Sequence, residues 1–388
     1  MRIAAHRSAR AVLAVVLAAT GLVAGCSIRS GPAQAGSRAL DSAVVARLDA
    51  AIDAVVAAEA IPGALIGIWS PDGEYIRASG VADTATDSPV KTDFYSRIGS
   101  VTKTFTATAL LLLVDRGEVD LESPIADYLD GIPDGEAITV GQLATMRSGL
   151  AEYTETDGFQ AAMRADPSRS FTPRELLALA FAEPPIFPPG QGWRYSNTNY
   201  VVLGLLIEKV SGQALSDYLT ANILGPLQMS ETSLPAGTQF PEPHARGYTE
   251  PLDGPGRPID ATDWSASSTW AAGGMVSTLT DLRAWLPALA GGSLISPQLQ
   301  RQRLQDASGG GLGPGVGYGI GIMSAAGWIG HNGSVPGYQT VAVYLPERQI
   351  ALALMINTDI PRPDVDSPDT ALARAVTEVL TPDHVYGI

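Results

Sequence analysis

Cysteine and lysine are both scarce in this chain of 388 residues. Cys26 is the only cysteine, so the chain can form no intramolecular disulfide. Lysine provides only Lys91, Lys103 and Lys209 of the 25 basic residues, and the other 22 are arginines. The basic residues form no cluster and the formal net charge is −15. We therefore do not expect nucleic acid as a partner.

Two common catalytic patterns are also missing. The sequence contains no Gly-x-Ser-x-Gly pentapeptide, which argues against an α/β-hydrolase esterase with a Ser-His-Asp triad. Its 4 histidines include no His-x-x-x-His pair, and no paired-carboxylate metal pattern accompanies them. We therefore expect neither a metal nor another cofactor.

The N-terminal segment has the pattern of an export signal. Three arginines among the first ten residues precede an apolar run over residues 11–24, which is short for a bilayer span. The run ends in Leu22-Val-Ala-Gly-Cys26, which resembles a bacterial lipobox. This predicts a lipoprotein signal peptide over residues 1–25, a lipid-modified Cys26 and a tether over residues 26–39. The protein would then be anchored at the extracytoplasmic face of a bacterial membrane, or secreted if the cysteine is accidental.

The remaining chain predicts an α+β fold. A helix over residues 40–60 precedes a β-hairpin, and a strongly apolar helix follows from Ser100 to Val114. Mostly helical segments and loops continue to about residue 310, and a helix over residues 371–380 ends the chain. Three antiparallel strands are predicted between them, at Trp328–Gly333, Tyr338–Leu345 and Ile350–Asn357. We expect one antiparallel sheet formed by both chain ends, flanked by helices, with a mostly helical insertion.

The domain boundaries follow from this change of character along the chain. Residues 40–388 form the predicted catalytic domain, which is long enough for one large core or two fused ones. Residues 40–100 and 319–388 would form an α/β subdomain. Residues 104–318 would form the helical subdomain inserted between them.

The first candidate catalytic residues are Ser100 and Lys103, at the start of an apolar helix. Positions i and i+3 share a helix face, so the lysine amine can reach the serine hydroxyl. A serine hydroxyl becomes a good nucleophile when an adjacent base takes its proton. Lysine can be that base if burial lowers its pKa, whereas arginine is effectively never deprotonated. The pattern predicts a nucleophilic serine with a lysine base.

Two further motifs provide groups that such a pair needs. Tyr195 and Asn197 flank Ser196 in an extended loop, where positions i and i+2 point the same way. The phenol could move a proton to the leaving group, and the amide could hold a substrate carbonyl. Later, Gly330-His-Asn-Gly-Ser334 lies on a predicted strand. Backbone N–H groups of Ser334 and Ser100 together would form an oxyanion hole.

In this order, the three motifs resemble those of the serine β-lactamase and penicillin-binding protein superfamily. The flanking segments, such as Phe94-Tyr-Ser-Arg-Ile-Gly-Ser-Val-Thr-Lys103 and Gly330-His-Asn-Gly-Ser-Val-Pro-Gly-Tyr338, are similar to those of its secreted D-alanyl-D-alanine carboxypeptidases. The resemblance covers residue 40 to the C-terminus. It implies an acylated nucleophile at Ser100, a base at Lys103 and a proton shuttle at Tyr195.

The resemblance also assigns substrate-binding residues. They are Asn197 and the segment His331, Asn332, Gly333 and Ser334, with the aromatic side chains of Trp270 and Phe159 as walls of the cleft. The chain departs from the carboxypeptidase pattern at Asn332, where threonine is typical. It also has Met323 where those enzymes carry an arginine that binds the substrate carboxylate.

The sequence thus predicts a membrane-anchored serine acyl hydrolase, most similar to D-alanyl-D-alanine carboxypeptidases. Its expected partners are a cell-wall peptide, an ester or a β-lactam, and the membrane through the lipid anchor. An esterase or β-lactamase of the same fold remains open. A lipoprotein that binds peptidoglycan fragments without turnover also remains open, although a deprotonable lysine beside a serine has no use in a binding module.

Overall fold

The computed structural model describes residues 38–254, 256–306, 308–309, 311–361 and 366–388. Its helices are α1 (Ser42–Ala58), α2 (Thr102–Asp115), α3 (Val140–Ala144), α4 (Asp157–Ala165), α5 (Pro173–Phe181), α6 (Asn197–Ser211), α7 (Leu215–Leu219), α8 (Leu279–Gly291), α9 (Pro297–Arg303) and α10 (Pro368–Leu380). Within these described ranges, no helix is long and apolar enough to cross a bilayer.

The strands run from β1 to β12 in chain order. They are β1 (Gly63–Ser70), β2 (Gly73–Asp83), β3 (Ser88–Pro89), β4 (Ser96–Arg97), β5 (Tyr248–Thr249), β6 (Ile259–Asp260), β7 (Val276–Ser277), β8 (Val316–Tyr318), β9 (Met323–Ala325), β10 (Trp328–Val335), β11 (Tyr338–Leu345) and β12 (Ile350–Ile356).

One antiparallel sheet contains the long strands of both chain ends, in the order β3-β2-β1-β12-β11-β10-β9-β8. The two ends meet where β1 pairs with β12, with Gly67 opposite Ala353. This architecture confirms the predicted α+β class and the sheet built from both termini. The strands β8 and β9 were not predicted, because three residues are too few to reveal an alternating pattern.

Successive side chains of the central strands point to opposite faces of the sheet, and each face packs into its own hydrophobic core. On one face, Ile66 and Ile68 of β1 and Leu352 and Leu354 of β12 pack with residues of α1 and α10. On the other face, smaller side chains such as Ala353 leave room for α8 and the helical region that contains α2. The sheet therefore lies between a pair of terminal helices and the rest of the helices.

Helix α2 is buried on almost every side and forms the centre of this second core. Its buried threonine hydroxyls are hydrogen-bonded: Thr104 Oγ1 donates to the Val101 carbonyl one turn earlier, and Thr106 Oγ1 donates to the distant Ala271 carbonyl. The ring of Phe105 stacks on Trp285 of α8 with 4.0 Å between centroids. The N-terminus of α2 is thus rigidly held, and this end carries the serine and lysine of the first motif.

Candidate active site

Ser100 lies in a single 3₁₀ turn (Gly99–Val101) that leads directly into α2. Gly99 has a φ of +50°, a left-handed conformation that glycine adopts at least cost. Lys103 follows one turn later, and its Nζ lies 3.0 Å from Ser100 Oγ. The structure therefore brings the predicted serine and lysine within hydrogen-bond distance.

Lys103 is completely buried and has two further close contacts. Its Nζ donates to Asn197 Oδ1 and to the Ala272 carbonyl oxygen, each at 2.7 Å. A neutral amine has two N–H donors and one lone pair. When both donors serve these two carbonyl oxygens, the lone pair is left for the hydroxyl proton of Ser100. The contacts therefore suit the role of a base.

The protonation of Lys103 is set by its surroundings. Burial lowers its pKa from 10.5 to about 7, while the negative charge of Glu152 acts in the opposite direction. About half of the lysines are then neutral at pH 7, compared with well under 0.1% for an exposed lysine. The predicted depression of this pKa is thus present, and its main cause is desolvation.

Tyr195 and Asn197 reach the same place from the chain that enters α6. The ring centroid of Tyr195 lies 4.8 Å from Lys103 Nζ, and Asn197 is the first residue of the helix. Ser196, between them, is buried, and its backbone N–H donates to Met146 Sδ at 3.4 Å. The predicted i, i+2 alternation of this loop therefore places the phenol and the amide together beside Lys103.

Glu152 orients Asn197 and was not predicted from the sequence. Its carboxylate accepts hydrogen bonds from the backbone N–H of Asn197 and from Asn197 Nδ2, the latter at 3.0 Å. Thr154 donates to the same carboxylate through its N–H and its hydroxyl. Glu152 thus fixes the rotamer in which Asn197 Oδ1 faces Lys103. No local sequence signal marks this role, because Asn197 lies 45 residues away on another segment.

The Tyr195 hydroxyl is buried and has no hydrogen-bond partner of good geometry among the described residues. Burial raises its pKa well above the ordinary value of 10, although the neighbouring Ser100 hydroxyl lowers it somewhat. A tyrosinate form of this residue is therefore disfavoured at neutral pH. Tyr195 is instead a neutral phenol whose proton is available to a substrate atom.

His331 lies on β10 and is almost fully buried, with 1% of its surface exposed. Its ring packs against Tyr195 and Tyr318, at centroid distances of 6.1 and 5.8 Å. Burial and the nearby charge of Lys103 lower its pKa to about 3. The imidazole is therefore neutral. It supplies no positive charge to the site.

The backbone of β10 approaches the Ser100 turn because both segments have a glycine at the contact. A Cβ on Gly333 would lie 2.8 Å from the Ser100 nitrogen, and one on Gly99 would lie 2.7 Å from the Ser334 nitrogen. The backbone nitrogens of Ser100 and Ser334 therefore lie near each other. An oxyanion hole formed by these two N–H groups stays a prediction. The Ser334 side chain itself is exposed, and Asn332 is half-buried.

The two aromatic residues assigned to the cleft have other close contacts. Phe159 on α4 is buried and packs against Tyr153 and Phe171, at centroid distances of 5.2 and 5.6 Å. The half-buried ring of Trp270 packs over Gly204 of α6, where a Cβ would approach it to 2.7 Å. Their roles as cleft walls stay predictions.

Met323 and Cys26 complete the set of sequence-derived residues. Met323 on β9 is 5% exposed and belongs to the larger core cluster, opposite Gly330 of β10. Cys26 lies outside the described residues. In the part of the chain that is described, no group of three or more His, Cys, Asp or Glu side chains could hold a metal ion.

The sequence profile of the Beta-lactamase family matches residues 48–377. The esterase EstB of Burkholderia gladioli is 33% identical over 229 residues, which cover 55% of this chain and 58% of the esterase. The chain spans less than two thirds of the length of the curated relatives it matches.

Two solved structures match nearly over their whole length. A D-stereospecific amidohydrolase from Streptomyces sp. has a TM-score of 0.78 and 31% identity, covering 87% of this chain and 98% of that one. The D-amino acid amidase of Ochrobactrum anthropi SV3, in complex with L-phenylalanine amide, has a TM-score of 0.75 and 30% identity. That match covers 89% of this chain and 97% of the amidase.

Proposed function

The chain belongs to the Beta-lactamase family, and on this premise we propose that it hydrolyses amide or ester derivatives of D-amino acids through an acyl-enzyme on Ser100. The activity rests on one observation above all, the buried amine of Lys103 at 3.0 Å from the Ser100 hydroxyl. A lysine is almost never fully buried unless it is paired, and strongly perturbed pKa values cluster at functional sites.

In the proposed acylation step, neutral Lys103 takes the hydroxyl proton as Ser100 Oγ attacks the substrate carbonyl carbon. The negative charge that develops on the carbonyl oxygen is stabilised by the N–H groups of Ser100 and Ser334. Because these donors are backbone groups held by two glycine contacts, they need little rearrangement during the reaction.

Tyr195 is the proposed proton donor to the leaving group. Its phenol is protonated and has no hydrogen-bond partner of good geometry among the described residues. The centroid of its ring lies 4.8 Å from Lys103 Nζ. When the phenol gives its proton to the leaving nitrogen or oxygen, the lysine ammonium can restore it. Water then attacks the acyl-enzyme with the same base and the same oxyanion donors, and Ser100 is released.

The substrate class is supported by the family neighbours that match over nearly their full length. Two of them are named for activity on D-configured amides. A strict D-alanyl-D-alanine carboxypeptidase is less well supported. Such an enzyme needs a cation for the leaving group's carboxylate, whereas Met323 is apolar and His331 is neutral. An esterase is the second candidate, because EstB shares 33% identity over the matched segment.

We also propose that the protein works outside the cytoplasm, anchored by a lipid on Cys26. This proposal is supported by the lipobox-like end of the apolar N-terminal run. The site itself requires no metal or cofactor for the steps described.

Initial rates on a small substrate panel test the proposal. The panel contains D- and L-alanine 4-nitroanilide, a D-Ala-D-Ala peptide, a short-chain 4-nitrophenyl ester and a chromogenic cephalosporin. We expect the D-anilide to be hydrolysed at least tenfold faster than its L-enantiomer. Equal rates for the two enantiomers, or hydrolysis of the ester alone, would reject the D-amino-acid assignment and favour the esterase.

A further inference from the structure

A narrow slot opens beside the end of β10. Its volume is about 20 Å³, which is room for one or two water-sized atoms. Residues from four separate chain segments line it, including Arg97, Met163, Trp264, Gly273, Gly274 and Val335. We call this cavity the acyl-side slot, for the reason given below.

The slot adjoins the catalytic groups through the chain itself. Val335 directly follows Ser334, whose N–H is a proposed oxyanion donor. Gly273 directly follows Ala272, whose carbonyl oxygen binds the catalytic lysine. Arg97 lies on β4, three residues before the nucleophile, and its carbonyl oxygen accepts a hydrogen bond from β11. The slot is therefore lined by residues that are next in the chain to residues of the proposed active site.

Its position along β10 tells which part of a substrate it would meet. Tyr195, the proposed donor to the leaving group, packs against His331 near the start of the motif. The strand then passes Ser334 and reaches Val335 about 13 Å from His331, at 3.3 Å per residue. The slot and the leaving group thus lie on opposite sides of the oxyanion donor at Ser334. A group that enters the slot must belong to the acyl part of the substrate.

Arg97 makes this slot unusual. The side chain is 94% buried, since only 6% of its surface is exposed, and its Nε has no hydrogen-bond partner among the described residues. Its Nη2 donates to the carbonyl oxygens of Thr262 and Trp264, each at 3.0 Å, and the guanidinium lies 4.8 Å from the Phe240 ring centroid. No described carboxylate pairs directly with it. A buried guanidinium with a free donor is costly unless an anion is bound there.

We propose that the acyl-side slot binds a carboxylate on the acyl part of the substrate, with Arg97 as the recognising cation. This inference rests on the proposed hydrolase function. The slot's volume admits the two oxygens of a carboxylate, and the Arg97 donors that do not bind the Thr262 and Trp264 carbonyls could give it a charge-assisted hydrogen bond. The chain as a whole carries a net charge of −15 and repels anions, so only a local cation could select one. Preferred substrates would be acidic D-aminoacyl compounds.

The test compares two anilides that differ in one charge, D-glutamic acid α-(4-nitroanilide) and D-glutamine 4-nitroanilide. We expect the wild type to prefer the acidic substrate in kcat/KM by about tenfold to a hundredfold, the usual value of a charge-assisted hydrogen bond. Arg97→Gln should remove the preference, and Arg97→Lys should keep part of it. Lys91→Gln, which removes one exposed positive charge elsewhere, is the matched control and should keep all of it.

The wild-type comparison decides the question even if an Arg97 variant does not fold. Equal kcat/KM for the two anilides, or a preference that survives in Arg97→Gln, would overturn the carboxylate site. If neither anilide is cleaved while a fluorophosphonate still labels Ser100, the D-aminoacyl part of the proposed function fails instead. The same charge comparison then uses the α-(4-nitrophenyl) esters of D-glutamic acid and D-glutamine. After subtraction of their spontaneous hydrolysis, equal rates for the two esters would again reject the slot.

Discussion

The protonation of Lys103 gives the sharpest prediction about the mechanism. With a pKa of about 7, the neutral fraction of this lysine is about 9% at pH 6 and about 91% at pH 8. The acylation rate should therefore rise about tenfold between these values and level off above pH 8. A lysine with the ordinary pKa of 10.5 would give a rise of about a hundredfold over the same range, with no plateau.

Acylation can be isolated with a neutral fluorophosphonate, whose second-order rate of Ser100 labelling reports the nucleophile and its base alone. Because the reagent carries no titrating group, the pH profile belongs to the enzyme. Lys103→Arg should lower this rate by about 10²- to 10⁴-fold and remove the rise between pH 6 and 8, since a guanidinium keeps the charge but cannot accept the proton.

Lys209→Arg is the matched control. Lys209 lies exposed in the last turn of α6, so the same substitution there should change neither the rate nor its pH dependence. The reasoning fails if the wild-type rate climbs tenfold per pH unit up to pH 9. It also fails if Lys103→Arg keeps most of the wild-type rate, because the lysine would then act only as a charge.

Four further predictions follow from the same contacts. Ser100→Ala should abolish fluorophosphonate and fluorescent-penicillin labelling, and an equally labelled variant would mean another nucleophile. Glu152→Gln should move the midpoint of the acylation profile below pH 7, because the carboxylate raises the pKa of Lys103; a midpoint that rises would contradict that sign. Gly333→Ala should lower kcat/KM by at least about a hundredfold, since the added Cβ would lie 2.1 Å from the carbonyl oxygen of Ile98, two residues before the nucleophile. Cys26→Ser should release the protein from the membrane fraction or leave it unprocessed, and a mature chain that starts after residue 26, found by mass spectrometry, would refute lipidation.

Most of the fold could be predicted because the hydrophobic residues of its main helices and strands follow a clear pattern along the sequence. The alternation of Tyr338–Leu345 and Ile350–Asn357 gave strands close to their observed bounds, and the apolar run after Ser100 gave α2. The short strands β8 and β9 could not be predicted in this way. They exist because β10 has a free edge beside them, which is a property of the assembled sheet.

In the candidate site, too, contacts between residues close in the sequence could be predicted, whereas contacts between distant segments could not. Ser100 and Lys103 are neighbours on one helix turn, so their spacing in the sequence is already their spacing in space. Glu152 lies 45 residues from the asparagine it orients, and Ala272 lies 169 residues from the lysine it binds. Their roles depend on packing between segments. For the same reason, the aromatic identity of Phe159 could not distinguish a core position from a cleft wall.

The meeting of the two chain ends in one sheet has a consequence for biosynthesis. During translation the nucleophile and its lysine are made long before β10. Strand β1 cannot pair with β12 until the C-terminal part of the chain has been made. Such non-local pairing makes folding slow, because loop-closure entropy must be overcome before the contacts form. Until then the serine lacks the Ser334 N–H, and the lysine is still hydrated and protonated. We therefore expect the growing chain to have no hydrolase activity until the C-terminal strands have joined the sheet.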